Sequence, residues 1–380
     1  MIPYGRQDVS DKDIAAVLEV LQSDFLTQGP AVPRFEAAAK AQCNVDYAIA
    51  VNSATSALHI ACMALDLGPG DILWTVPNTF VASANVGIYC GADVDFVDTD
   101  PDTYCMSVAA LEEKLTQAER DGKLPKVLVP VHFAGQSCDM RAIAALAGKF
   151  DIRIIEDASH AIGANYLGQP VGDCAYSDIC VFSFHPVKII TTGEGGLATT
   201  KDPKLASRME LHRSHGVTRD PALMDQASEG GWYYQMVDLG YNYRMTEMQA
   251  ALGVTQFERL SEFVDRRNAL ALEYDRKLAD LPVTCPVQNP DSRSAFHLYP
   301  ILVDNRAEVF ARLRENGIGV NVHYIPVHTQ PFWRARGFAQ GDFPQSEAYY
   351  ARAISIPLYF GLTEEAQDQV VSEIGRAVSF

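Results

Sequence analysis

Between Tyr47 and Thr200, short runs rich in apolar residues alternate with amphipathic stretches, and this alternation restricts the possible folds more than any other feature of the chain. Tyr47 to Val51, Ile72 to Val76, Val94 to Val97, Val127 to Val131, Arg153 to Ile155, Ile179 to Phe184 and Leu197 to Thr200 have the length and composition of buried strands. Ser56 to Leu67, with Leu58, Ala61 and Leu65 on one face, reads as a helix, as do Phe80 to Tyr89 and Met140 to Lys149. Strands separated by helices predict an α/β fold with a mostly parallel sheet covered on both faces. Ligands of such sheets sit beyond the carboxyl ends of the strands. The polar residues that close these strands are therefore the ones to weigh.

The flanking segments complete the expected organisation. Ser10 can cap a helix whose apolar positions Ile14, Val17, Leu18 and Leu21 follow helical spacing, and Leu26 to Pro30 reads as a loop. A long helical stretch, Thr246 to Leu278, leads out of the first unit. Beyond Pro282 come a strand at Leu298 to Val303, a helix at Ala307 to Asn316, a second strand near Val320 to Tyr324 and a helix from Glu364. Residues 1–250 are expected to form a large domain with an N-terminal segment, and 251–380 a linking helix and a small α+β domain. A chain of 380 residues suits one domain of each size.

Composition narrows the function classes. The chain carries 31 Lys and Arg against 48 Asp and Glu, a formal net charge of -17, which repels nucleic acid and anionic membranes. Neither is expected as a partner. The 8 cysteines form no C-x-x-C pair and read as free thiols of a reduced compartment, with no metal site expected. The first residues do not resemble a signal peptide and no apolar run would span a bilayer, so a cytoplasmic location is expected.

Four strand ends carry chemistry. Ser183-Phe184-His185-Pro186-Val187-Lys188 follows a buried strand and precedes the turn Gly193-Glu194-Gly195-Gly196. An amine near the interior loses proton affinity and becomes a nucleophile for carbonyls, unless Lys188 simply reaches solvent. Glu156-Asp157-Ala158-Ser159-His160 ends another strand. Asp157 suits a cationic ring nitrogen or the cap of a following helix, and His160 suits a site or a hydrogen-bonded core position. Ser53-Ala54-Thr55-Ser56 opens a helix, where N–H groups and the helix dipole attract phosphate, although Ser and Thr cap helices without any ligand. Phe80, after Pro77-Asn78-Thr79, is either a stacking ring or ordinary core.

Together with Arg213-Ser214-His215-Gly216 and Gly240-Tyr241-Asn242-Tyr243-Arg244-Met245, these motifs resemble the DegT/DnrJ/EryC1/StrS sugar aminotransferases, nearly end to end. The resemblance implies the aspartate-aminotransferase fold (fold type I) and pyridoxal 5'-phosphate as cofactor, with pyridoxamine 5'-phosphate as intermediate. It implies that Lys188 is the Schiff-base lysine, that Asp157 partners the pyridine nitrogen, that Phe80 stacks on the ring, and that His160 lies near the ring hydroxyl. Thr55, Ser56 and Ser183 would hold the phosphate, and Asn242 of a neighbouring subunit would complete it, which makes a homodimer with shared sites. Tyr4, Gln28, Arg213, His323, Tyr324 and His328 are candidate substrate contacts, each open to a packing role instead.

Within the family, Leu26-Thr27-Gln28-Gly29, His297-Leu298-Tyr299-Pro300-Ile301 and Val322-His323-Tyr324 resemble the pseudaminic-acid branch. That likeness implies transfer from L-glutamate to C4 of UDP-2-acetamido-2,6-dideoxy-β-L-arabino-hex-4-ulose. Aminotransferases of other nucleotide 4-keto or 3-keto sugars, of the GDP-perosamine or UDP-bacillosamine type, stand as alternatives. So does a sugar dehydratase, against which Lys188 argues, because dehydratase relatives carry histidine there. A dinucleotide-binding dehydrogenase is disfavoured by the missing G-x-G-x-x-G turn.

Overall fold

The computed structural model describes residues 1–379. Its centre is a seven-stranded sheet: β1 (Tyr47–Val51), β2 (Ile72–Thr75), β3 (Asp93–Phe96), β4 (Val127–Leu128), β5 (Arg153–Asp157), β6 (Ile179–Ser183) and β7 (Gly196–Thr200). The spatial order is β1-β7-β6-β5-β4-β2-β3. All neighbours are parallel except β7, which runs antiparallel to both β6 and β1. The sheet is mostly parallel, as the alternation predicts. The reversal of β7 brings its first residue, Gly196, to the edge where the other six strands end.

Helices cover both faces. α1 (Asp11–Leu21), α2 (Ala31–Cys43), α3 (Ala54–Ala64), α4 (Ala82–Tyr89), α5 (Val108–Asp121), α6 (Met140–Gly148) and α7 (Pro203–Arg213) precede α8 (Glu247–Glu258) and α9 (Leu260–Leu278). Buried alanines on α3 let it lie flat on the sheet, packed with Ile49, Leu73, Ile155 and Val181. Among the described residues no helix is long and apolar enough to cross a membrane.

Two helices depart from what the local sequence suggests. α1 exists and is capped by Ser10, but its apolar stripe faces outward: Ile14, Leu18 and Leu21 are exposed while Asp13 is buried. The inner face is mixed: Val20 and Ala16 pack on the core, with Asp13 buried on the same side. Asp13 accepts from Thr255 Oγ1 at 2.5 Å and Gln256 Nε2 at 2.9 Å, both on α8. α2 begins at Pro30, which offers no side-chain cap. The missing acceptor comes from Glu247 at the start of α8, whose carboxylate takes the N–H of Ala31 at 2.5 Å and of Val32 at 3.2 Å.

The expected single helix from Thr246 to Leu278 is two helices, broken at Arg259 (φ -102°, ψ 1°). α9 then packs against β8 (Tyr299–Leu302), β9 (Ala353–Ile356), α10 (Arg306–Glu315) and α11 (Glu364–Val378), around Tyr274, Tyr299, Ile354 and Ile374. The antiparallel partner of β8 is β9, not the expected strand at Val320 to Tyr324. That segment makes one bridge, Asn321 to Ser355; Val320 packs with Tyr299 and Ile354, and Asn321 to Tyr324 line the end of the large sheet.

Candidate active site

A cavity of about 950 Å³ opens at the strand ends, where the connection rule for parallel sheets puts it. Its floor comes from the sheet: Asn52 and Ser53 after β1, Asp157 and His160 at the end of β5, and Ser183 and Lys188 at the end of β6. Phe80 and Ser83 enter from the start of α4. His297 precedes β8, and His323 and Tyr324 follow α10; together with Tyr4 they form the opposite wall.

Lys188 Nζ lies 3.4 Å from His297 Nε2. Part of the residue faces the open cavity, but its amine is enclosed, and burial pushes the amine down to about 8 against the opposing pull of Asp157. The simpler alternative, a lysine reaching outward into solvent, is not what the fold builds.

Asp157 is buried and held by three donors. Ser83 Oγ donates to Oδ2 at 2.6 Å, and Ser159 donates to Oδ1 from its N–H at 3.1 Å and its hydroxyl at 2.5 Å. No helix follows β5, so Asp157 caps nothing. The carboxylate is oriented by hydrogen bonds rather than by a paired cation.

His160 is buried with both nitrogens engaged. Nδ1 accepts the Ala134 N–H at 3.3 Å, which leaves the proton on Nε2 to reach Tyr324 Oη at 2.9 Å. Burial, then the Lys188 charge and His323, push His160 well below the usual imidazole range. Burial likewise brings His323 down to about 3, and its Nδ1 pairs with Ser355 Oγ at 2.8 Å. Burial raises the Tyr324 phenol, so its proton stays on oxygen. This wall is thus neutral and rich in hydrogen-bonding groups.

The start of α3 is ready for an anion. Ser53 accepts the Ser56 N–H at 3.1 Å, and Ser56 Oγ donates to Asn52 Oδ1 at 2.6 Å. The N–H groups of Ala54 and Thr55 have no acceptor among the described residues. Gly196 lies so close that a Cβ there would meet the Ser53 carbonyl carbon and oxygen at 2.3 Å. Only a glycine lets β7 begin against this turn.

Of the candidate contacts, Thr55, Ser56, Phe80, Ser183, Tyr4, His323 and Tyr324 line the cavity with Lys188, Asp157 and His160. Phe80 is 60% exposed, so it is not an ordinary core ring. Four others do not line it. His328 is fully buried against Phe96 and Phe343, its Nε2 2.9 Å from Glu347. Arg213 is engaged by Glu36 at 2.6 Å and the Ala50 carbonyl at 2.9 Å. Gln28 sits exposed in a turn at φ 55°. Asn242 is exposed, and only its backbone reaches toward the cavity's edge, accepting from Asn52 Nδ2 at 3.5 Å.

The cavity also holds residues that sequence reasoning missed: Asn52, Ser83, Gln249 and His297. Ser83 had a weak signal, as a polar residue in an otherwise apolar helix start. His297 had one too, as an imidazole at the mouth of an apolar strand.

The sequence profile of the DegT/DnrJ/EryC1/StrS aminotransferase family matches residues 7–375. The UDP-4-amino-4-deoxy-L-arabinose–oxoglutarate aminotransferase of Shewanella sediminis is 33% identical, over 99% of this chain and 98% of its own length. The structure resembles PseC of Helicobacter pylori, an aminotransferase of pseudaminic acid biosynthesis (TM-score 0.91, 30% identity, 100% of each chain). It also resembles a sugar aminotransferase of Streptococcus pneumoniae, Spr1654. The PMP form of that protein gives a TM-score of 0.91 at 29% identity, over 100% of this chain and 99% of that one, and a PLP form is known as well.

Proposed function

The chain belongs to the DegT/DnrJ/EryC1/StrS aminotransferase family, and from that premise we propose that it is a pyridoxal-phosphate sugar aminotransferase whose cofactor is attached to Lys188. One observation carries this: a single cavity joins an enclosed amine of depressed basicity to an oriented carboxylate and a helix start with free N–H groups. These three groups match an aldehyde, a pyridine nitrogen and a phosphate. The Gly196 approach leaves the phosphate end narrow.

When bound, pyridoxal phosphate supplies an electron-withdrawing ring and a carbonyl that can take up an amino group and hand it on. The protein's part is position and proton transfer. Asp157, fixed by Ser83 and Ser159, would pair with the ring nitrogen. Ala54 and Thr55 N–H, with the Thr55, Ser56 and Ser183 hydroxyls, would hold the phosphate. Phe80 would stack on the ring, and His160 would lie near its hydroxyl. Lys188 Nζ, with its basicity depressed by burial, would serve as the base and acid that moves the donor's proton. Residues 1–250 supply this floor, and residues 251–380 the wall bearing His297, His323 and Tyr324.

For the acceptor we take UDP-2-acetamido-2,6-dideoxy-β-L-arabino-hex-4-ulose, aminated at C4, with L-glutamate as donor. Similarity to PseC along the full length supports this choice. Similarity to the Shewanella sediminis enzyme supports a second one, a UDP-linked 4-keto-pentose. Tyr4, His323 and Tyr324 stand where such a sugar would enter. A second copy of the chain would cover the outward stripe of α1 and the exposed Trp232, Tyr234 and Met236. It would also bring its own Asn242 to the phosphate, and a shared-site homodimer is the assembly expected.

Absorbance tests the proposal. A visible band on protein supplied with the cofactor should be lost on adding glutamate and restored by the hexulose. No band at all would end the cofactor assignment. A band that answers glutamate and the pentulose, but not the hexulose, would move the substrate to the second choice.

A further inference from the structure

His297 comes from outside the large sheet, yet its Nε2 lies within hydrogen-bond distance of Lys188 Nζ, at 3.4 Å. Its ring centroid lies 4.4 Å from that of His160. Its other nitrogen, Nδ1, is buried with no partner among the described residues. An imidazole in this position has two neutral tautomers. A proton on Nδ1 would leave a buried N–H with no acceptor, the rarer and costlier defect; a proton on Nε2 leaves only an unused lone pair. The favoured tautomer therefore points its N–H at Lys188. An ammonium cannot accept that proton, whereas the lone pair of a neutral amine can.

The backbone around His297 is fixed to an unusual degree. Arg267 on α9 is fully buried without a carboxylate. Its Nη1 donates to the carbonyls of Phe296 at 3.1 Å, His297 at 3.4 Å and Leu358 at 3.0 Å. Gly135, at φ +106°, receives the same segment: a Cβ there would meet Phe296 N at 2.7 Å, His297 N at 2.9 Å and His160 O at 3.0 Å. The Ala295 N–H donates to the Gly135 carbonyl at 3.0 Å.

We infer that His297 is a positioning residue that donates its Nε2 proton to the lone pair of Lys188 Nζ, docking the free amine in its neutral form, with Arg267 and Gly135 fixing the backbone that carries it. This rests on the assignment of Lys188 as the cofactor-bearing amine. The other groups facing the amine fit the role. His160 has its proton committed to Tyr324, His323 is tied to Ser355, and Asp157 alone pulls toward the ammonium. Burial, Lys188 and then His160 and Arg267 hold His297 itself neutral.

The test measures the ionisation of Lys188 in the full chain freed of cofactor, from the pH dependence of competitive acetylation read by peptide mass spectrometry. Loss of a donor to the neutral amine destabilises that form, so His297→Phe should raise the Lys188 pKa by about half a unit to one unit. A phenyl that merely replaces packing would leave it unchanged or lower it, and either result overturns the inference. His297→Gln keeps an N–H near the same place and should restore the wild-type value; a Gln variant that behaves like Phe also overturns it. Imidazole ¹⁵N resonances of the wild-type chain need no variant to fold: a protonated Nε2 and bare Nδ1 at His297 are expected, and a protonated Nδ1 sinks the inference. Borohydride reduction of cofactor-loaded protein keeps the two assignments separable. A cofactor label on a peptide without Lys188 defeats the functional assignment, whereas a label on Lys188 with no pKa rise defeats only the role of His297.

Discussion

Two sets of buried histidines differ in what stands opposite them. In the core, His132 Nε2 meets Glu156 at 2.6 Å, and His328 Nε2 meets Glu347 at 2.9 Å. In the cavity, His160, His297 and His323 face a phenol, an amine and a hydroxyl. A carboxylate fixes an imidazole and uses its proton for structure. Partners without a negative charge leave the imidazole uncharged and its hydrogen bond available to whatever enters. Burial alone does not separate the two sets, since every one of these rings is buried; the charge of the partner does.

The sharpest challenge to this division is Lys188→Ala. If the cavity set serves one amine, its removal should reduce amino transfer from glutamate by roughly a thousandfold or more while the protein still folds, read by product formation beside a thermal melt. Next comes the pH profile. Neutral cavity histidines contribute no step near the ordinary imidazole value, so the acid limb of kcat should follow Lys188 once glutamate has freed its amine. Its pKa is lowered to about 8, the amine is lost to protonation as pH falls, and the rate should drop about tenfold per unit below that value. An acid limb centred about 6.5 would instead place a titrating histidine in the site.

Smaller effects belong to the core set. His328→Ala should cost about 2–4 kcal/mol of stability, through a cavity beside Phe96 and the loss of one of the donors to Glu347, yet leave KM for the nucleotide sugar within about twofold. A large KM change at constant stability would return His328 to the substrate. The smallest effect expected is that of Arg213→Met, about 1–3 kcal/mol from a Glu36 that keeps the Ala50 N–H but loses its charged partner, seen in urea unfolding and not in KM.

The sheet was legible because a covered strand must be short and turn apolar residues into the core, as Ile49, Leu73, Val94, Ile155 and Val181 do. The floor of the site was legible for the same reason: Asp157, Ser183 and Lys188 stand where such strands end. What escaped was set by partners far along the chain. α2 has no local start signal, because Glu247 supplies its cap. Val320 to Tyr324 has strand-like residues, but Ala353–Ile356 holds the pairing edge of β8. His328 and Arg213 resemble ligand contacts in sequence; only the fold reveals Glu347 and Glu36 beside them. Roles set by a distant neighbour leave no mark on local spacing.

The cap on α2 has a consequence for the order in which the molecule can be finished. Glu247 is 216 residues beyond the N–H it accepts. β1 is an edge strand whose sole ladder is with β7, pairing Tyr47 with Thr200. At a ribosomal pace of about 5–20 residues per second, the start of α2 waits roughly ten to forty seconds for its acceptor. Until Thr200 is made β1 has no partner strand, and the acceptor for the start of α2 follows later still, so this early segment is among the last to reach its native contacts. A ribosome stalled before residue 247 should therefore leave the N-terminal segment open to proteases and chaperones, however long it has been outside the tunnel.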